Sequence, residues 1–391
     1  MMQERNSYLT PPVAARKTLS FTAARPRVLA QWVAQLPKVN HAETSRQLYL
    51  AVREINELKI GPADRMELLD LLAQSIEEAS DALFRQYLHP LTLSERERKV
   101  VSLAQGLAIE LATGYKAAAT AASASLWGRS RKETEVRALH HGIWAILPSL
   151  RRRYSLYLPS PKGLWIELHT LYRRGEQLGA GEEKLPWGAQ TCSINQAYKA
   201  ALLFSIAQPY QLQRYELELA YSACLAWADL ATLTPPAEQT TYLVDLNQDQ
   251  APTYRNENAA VTPDCLGLNT SKLLTLLTSN TVLPNVRGMM PRLQDHLAMA
   301  WDRAQPRRFR RQPDTQAIEL TIGLSAVHSQ LCDNQSFRSF LQPYDVSELK
   351  EDAQKERFQA RDTRDIEQSK DIWEHSFDAG GSHFPPIPSH E

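Results

Sequence analysis

The feature that most constrains the fold is an apolar spacing of three and four residues. It runs to about residue 232, interrupted only by Pro and Gly turns. In ETSRQLYLAVREINEL, Leu48, Ala51, Val52, Ile55 and Leu58 fall at i, i+3, i+4, i+7 and i+10, which places them on one helical face. Gly61-Pro62 breaks the chain, and Pro62 suits the first turn of a new helix. RMELLDLLAQSIEEASDALFRQYL then carries a second amphipathic helix, which Pro90 ends. Residues 94–126 and 131–158 each read as a long helix or helix pair. In LWIELHTLYRRGEQLG, residues 164–179, the side chains of Leu164, Trp165, Leu168, Leu171 and Tyr172 share a face, and Gly179 can form the C-cap. NQAYKAALLFSIAQPYQL and RYELELAYSACLAWADLATL make a further pair joined at Pro209. Large aromatics, small residues and short turns predict stacked helical hairpins, without the fixed period of a repeat array.

The remaining segments divide the chain. Residues 1–20, with Pro11 and Pro12, read as a flexible arm, and residues 21–232 as an α-helical domain. The texture changes at Thr234-Pro235-Pro236. TTYLVDLNQDQAP is a strand-like run ending in a polar turn, and residues 253–265 are polar and irregular. LNTSKLLTLLTSN predicts a short helix with Asn269 or Thr270 as N-cap. PRLQDHLAMAWDRA predicts another, with Leu293, Leu297 and Trp301 in phase. Residues 233–306 therefore form a small mixed α/β connector. After it, AIELTIGLSAVHSQL has the β-branched, near-alternating pattern of a strand. Residues 347–376 mix both charge signs densely, and the tail AGGSHFPPIPSHE is rich in Gly and Pro. The expected fold is mainly α with a C-terminal α+β part: a helical-hairpin bundle, a mixed connector and a partial β module over residues 307–391.

Charge and motifs exclude several functions. Lys plus Arg equals Asp plus Glu at 44 each, so no global field draws the chain to nucleic acid or a membrane surface. An anion site must be local. Cys192, Cys224, Cys265 and Cys332 show neither CxxC pairing nor metal-ligand spacing. The N-terminus has no apolar h-region. The most apolar stretch, residues 100–127, is interrupted by Glu110 and Lys116, so it predicts a buried helix and not a membrane span. A cytoplasmic protein is expected. His140, His141 and His169 lie on apolar helices, where packed, hydrogen-bonded imidazoles are the rule. Glu167 and His169 are two apart and face different ways, so they make no metal pair. GxSxG, HExxH, GxGxxG and GxxxxGK[ST] are all absent. Nothing assembles a nucleophile, base and oxyanion hole, so no enzyme is expected. RRR at 151–153 sits at a helix end, where cations complement the dipole.

RAQPRRFRRQPDTQAIELTIGLSAVH, residues 303–328, is different. Arg307, Arg308, Arg310 and Arg311 lie in a linker after Pro306, not on a helix face. Planar guanidiniums pair bidentately with phosphate oxygens and stack on purine faces. Two arginines four apart can clamp a phosphodiester from both sides. The bland alternative is a solvated basic run that binds nothing specific.

RRFRR running into AIELTIGLSAVH resembles the start of a PilZ domain, the bacterial receptor module for cyclic di-GMP. PilZ domains are six-stranded β-barrels whose first motif, RxxxR, lies in the linker before the barrel. Arg307 and Arg311 match it, and Arg308 matches the common RRxxR form. The helical part is similar to the N-terminal region of a family of cytosolic proteins that carry such a domain. That similarity rests on LSFTAARPRVLAQWVAQLPKVN, SRQLYLAVREIN, GLWIELHTLYR and TTYLVDLNQDQAP. The resemblance implies a non-enzymatic cyclic di-GMP effector without a metal or other cofactor. Arg307, Arg308 and Arg311 would hold the ligand, with Arg310 in support. A protein partner would dock on the helical domain, in pilus or attachment machinery, and the output would be surface attachment or type IV pilus motility. One departure stands out. PilZ domains complete the site with [D/N]xSxxG, but Asn334-Gln335-Ser336 is followed by Phe337, Arg338 and Ser339, and Asp345-Val346-Ser347 runs to Lys350. Either the second motif lies beyond Glu391, or the module has degenerated and the chain is a helical adaptor that binds no nucleotide.

Overall fold

The computed structural model describes residues 8–85, 95–124, 129–237, 240–255, 261–279, 286, 288–302 and 327. The chain divides into two compact units, Met1–Gln305 and Pro306–Glu391. The sequence-predicted partial β module over 307–391 lies outside the described residues, apart from Val327.

Six helices open the fold: α1 (Pro26–Ala34), α2 (His41–Glu57), α3 (Pro62–Arg85), α4 (Glu95–Ala124), α5 (Arg129–Ser155) and α6 (Leu164–Gln177). The predicted α2 face, Leu48, Ala51, Val52, Ile55 and Leu58, is fully buried. Asn40 caps this helix by accepting from the Glu43 amide. α4 runs the length of the bundle and packs on both α3 and α5. Asn56 of α2 donates to the Glu110 carbonyl, tying the second helix to the fourth. All five residues predicted to share the α6 face are buried, and Gly179 follows this helix at φ +65°, a left-handed conformation that suits glycine.

A two-stranded hairpin, β1 (Leu185–Trp187) and β2 (Gln190–Cys192), turns at Gly188 with φ +58°. α7 (Ile194–Ile206) follows, capped by Ser193, and then α8 (Arg214–Trp227), where Gln213 and Glu216 form a reciprocal cap. α7 is buried nearly all round, so it is a central rod and not a surface helix.

The mixed segment forms a four-stranded antiparallel sheet in the order β3-β6-β4-β5, from β3 (Thr232–Thr234), β4 (Tyr242–Asp245), β5 (Thr253–Tyr254) and β6 (Cys265–Asn269). Two helices complete it, α9 (Ser271–Thr278) and α10 (Pro291–Trp301). Sequence reasoning misses β6 because Gly267 interrupts its apolar pattern. The glycine is required there, since a Cβ would meet the Thr240 side chain at 2.8 Å. β5 falls within the stretch expected to be irregular. Thr270 occupies the N-cap position of α9 without capping it, while Asn269 accepts from the Ser271 amide.

The sheet is pinned to the helices by the turn after β4. Asp249 accepts from the backbone amides of Gly163, Trp165 (3.0 Å) and Ile166 (3.2 Å), capping α6 from 83 residues or more along the chain. His169 of α6 bonds the Tyr198 hydroxyl (2.7 Å) and the Gln250 carbonyl (3.2 Å).

The expected flexible arm is docked over residues 8–20. Leu9 is fully buried and Leu19 nearly so. Ala15 and Arg16 donate their amides to the Glu57 carbonyl, and Ser20 bonds Glu54. Two leucines separated by prolines carry no periodic signal, so only tertiary contacts reveal the docking.

Candidate functional site

The four arginines singled out in the sequence, Arg307, Arg308, Arg310 and Arg311, lie outside the described residues. The structure describes the helix from which their segment departs. Pro291 opens α10 at a position that needs no amide donor. Leu293, Leu297, Ala300 and Trp301 are buried along one face. Trp301 is fully buried, lies edge-on to Trp227 at 6.5 Å between centroids and donates its indole N–H to the Leu203 carbonyl at 3.1 Å. The last carbonyls of a helix lack intrahelical partners. Here the Thr270 hydroxyl donates to the Trp301 carbonyl (2.7 Å) and the Tyr242 hydroxyl to the Ala300 carbonyl (2.5 Å). His296 reaches the Ala207 carbonyl at 2.9 Å. The C-terminal end of α10 is therefore held by α7, by Thr270 at the start of α9 and by β4.

The other basic run is turned inward. Arg152 is 1% exposed. It donates to Asp81 (2.9 Å) and to the Ala104 carbonyl (3.3 Å). Arg151 meets the same carboxylate at 2.6 Å and Glu218 at 3.2 Å. Burial raises the Asp81 pKa, but the two guanidiniums more than offset this and the net shift is downward. These arginines are committed to a structural network. Arg152 and Arg153 do lie in the last turn of α5, as expected, but the decisive partner of Arg152 is a carboxylate on α3.

The histidines are packed. His140 and His141 contact each other through Nδ1 at 3.1 Å, and His140 Nε2 lies 2.9 Å from the Cys192 carbonyl. Burial, followed by neighbouring His141, lowers His140 to about 4, and burial lowers His169 to about 4. Burial lifts the Cys192 thiol to about 12, so this cysteine carries no thiolate at neutral pH. Among the described residues, no group of His, Cys, Asp or Glu could hold a metal ion, and no helix is long and apolar enough to cross a membrane.

These two imidazoles make stability pH-dependent. Their folded values near 4 lie below the unfolded value of about 6.5, so between those limits the unfolded chain binds more protons. Stability is therefore full above about pH 6.5 and falls on acidification towards pH 4. Each histidine should cost about 2 kcal/mol between pH 7.5 and pH 5. Urea unfolding at both pH values checks this, and His169→Gln should flatten the slope. An unchanged midpoint between the two would mean that the imidazoles already titrate normally in the fold.

Compared with known proteins, residues 27–238 match the family model described as the N-terminal domain of the cyclic-di-GMP receptor FimW. Residues 241–387 match its middle PilZ domain. That second match begins just before β4, leaving the edge strand β3 in the first match, and includes β4, β5, β6, α9 and α10 as well as the arginine run, whereas the sequence reading starts the module at Arg307. The cyclic-di-GMP receptor FimW of Pseudomonas aeruginosa is 30% identical over 388 residues, which is 95% of this chain. The chain spans 62% of that relative's length. No solved structure matches. With α10 packed on the helical domain and falling inside the PilZ match, and family matches running from residue 27 to residue 387, the chain belongs to the FimW family.

Proposed function

We propose that the chain is a non-enzymatic, cytoplasmic effector of the PilZ type that binds cyclic di-GMP. Arg307, Arg308 and Arg311 hold the phosphates and guanine bases, with Arg310 in support. No metal is needed, because guanidiniums supply both the charge and the directed donors. Ligand binding changes how the helical domain docks on a protein partner. Regulation of surface attachment or type IV pilus motility is the output that the family resemblance suggests. The observation that carries this reading is the RRFRR run inside the PilZ match.

Isothermal titration with cyclic di-GMP tests it, with GTP and cyclic AMP as controls. Selective binding is expected. A charge-assisted hydrogen bond contributes about 1.5–3 kcal/mol, so Arg307→Ala with Arg311→Ala should weaken binding at least ~100-fold. An affinity unchanged by the double substitution would remove these residues from the site. The missing glycine after Asn334-Gln335-Ser336 favours a second reading, a helical adaptor whose PilZ module binds no nucleotide. Absence of binding by a folded chain would establish that reading over the first.

A further inference from the structure

We propose that the turn joining β4 to β5, residues 246–250, is a latch between the sheet and the helical region, and that cyclic di-GMP acts on the helical region by opening it. This rests on the reading above that the PilZ module binds that nucleotide. The sheet segment is attached to the helices in two unlike ways. One is apolar and buried: Trp301 of α10 sits against Trp227 and the Leu203 carbonyl, fully shielded from water. The other is polar and faces solvent, since Gln248, Asp249 and Gln250 are all exposed. An apolar attachment in the core holds as long as the fold does. Exposed hydrogen bonds open at low cost, because water takes over each donor and acceptor. The first attachment is therefore a pivot and the second a catch.

The catch has three rungs along one ridge of α6. At the N-terminus of the helix, Asp249 accepts from the amides of Gly163, Trp165 and Ile166. One turn on, the Gln250 carbonyl accepts from His169 Nε2 at 3.2 Å, which leaves Nδ1 to accept from the Tyr198 hydroxyl of α7 at 2.7 Å. A further turn on, Arg173 donates to Asn247 at 3.2 Å, and Asn247 donates in turn to Asp264 at 2.7 Å, just before β6. Trp165, His169 and Arg173 are four residues apart, so the rungs lie in register on one side of the helix. The turn thus joins α6, and through it α7, to β6, and the turn and β6 both fall inside the PilZ match. The catch is closed in this fold, so the signal it carries is release. Opening gives the first amides of α6 to water and frays its first turn, while the pivot at Trp301 keeps the sheet in place.

Hydrogen exchange and isothermal titration on the full chain test this. Cyclic di-GMP should speed exchange of the Trp165 and Ile166 amides at least ~10-fold while α7 and α10 stay protected. Asp249→Ala should show the fast exchange without ligand. Linkage is reciprocal, so that variant should also bind cyclic di-GMP tighter, by roughly 5-fold or more. Asp249→Asn keeps a capping oxygen and should match the wild-type chain in both readouts. If Asp249→Ala loses its cooperative thermal transition, Asn247→Ala takes its place, with tighter binding again expected, since it cuts the Arg173 rung and the link to Asp264. Equal affinity for wild type and variant, or saturation that leaves the two amides unchanged, overturns the latch and leaves the nucleotide reading standing. Absence of binding to the wild-type chain overturns that reading, and the latch with it.

Discussion

Trp301→Ala should lower the free energy of unfolding by about 3–5 kcal/mol, the range for emptying a fully buried aromatic site. The side chain lies between α10 and the wall formed by Trp227 and the Leu203 carbonyl. Both partners sit on helices packed into the bundle, so the cavity has little freedom to collapse. Trp301→Phe separates the contributions. It keeps most of the apolar contact and loses the indole donor, but Leu203 still accepts the Ala207 amide, so no carbonyl is orphaned. A cost of about 1 kcal/mol is expected for the Phe variant. Urea unfolding followed by far-ultraviolet circular dichroism measures both. A loss below about 1.5 kcal/mol for the Ala variant would contradict the packing of α10 on α7 and α8.

Asp81→Ala should cost about 3–5 kcal/mol, because removing one partner of a buried charge pair leaves the other uncompensated. Asp81 serves two guanidiniums at once. Arg151 retains Glu218 and stacks at 5.5 Å over the Tyr221 ring. Arg152 has no second carboxylate among the described ion pairs and is shut off from water, so the penalty falls on it. Asp81→Asn keeps an acceptor and should cost less than Asp81→Ala. The double variant Asp81→Ala with Arg152→Met should recover part of the loss, since an apolar side chain of similar length suits the same interior. Thermal unfolding at pH 7.5 reads all three. An Asp81→Ala chain as stable as wild type would mean that the guanidiniums reach solvent.

Much of the helical architecture was legible because burial on one side of a helix repeats along the sequence. The spacing alone specifies the buried faces of α2 and α6 residue by residue, and Pro62 and Pro291 begin helices where proline costs least. The short strands were not legible. β1 and β2 have three residues each, too few to display alternation, and β6 owes its central place to a glycine that reads as a breaker. Leu9 and Arg152 show the same limit. Their partners lie on helices far along the chain, and no local pattern announces them. The candidate ligand site was legible as chemistry, since four arginines in five positions need no periodicity to be noticed. The closure of α10 was not, because it depends on Trp301 meeting α7 and on Thr270 and Tyr242 meeting the last carbonyls of that helix.

The carboxylate of Asp249 also decides where this protein can be cut. The N-cap residue of α6 is Gly163, which has no side chain to receive the helix's first amides, and the acceptor arrives only with the turn after β4. A fragment ending near residue 232 takes the helical region as its sequence texture suggests, yet it deprives α6 of its cap and exposes Trp227 where Trp301 should lie. Among the described residues, a cut after Asp302 keeps both the cap and the Trp227–Trp301 contact, although it falls inside the PilZ match. A fragment made that way carries its sheet with it, and partner capture by the helices alone is best attempted with residues 8–302.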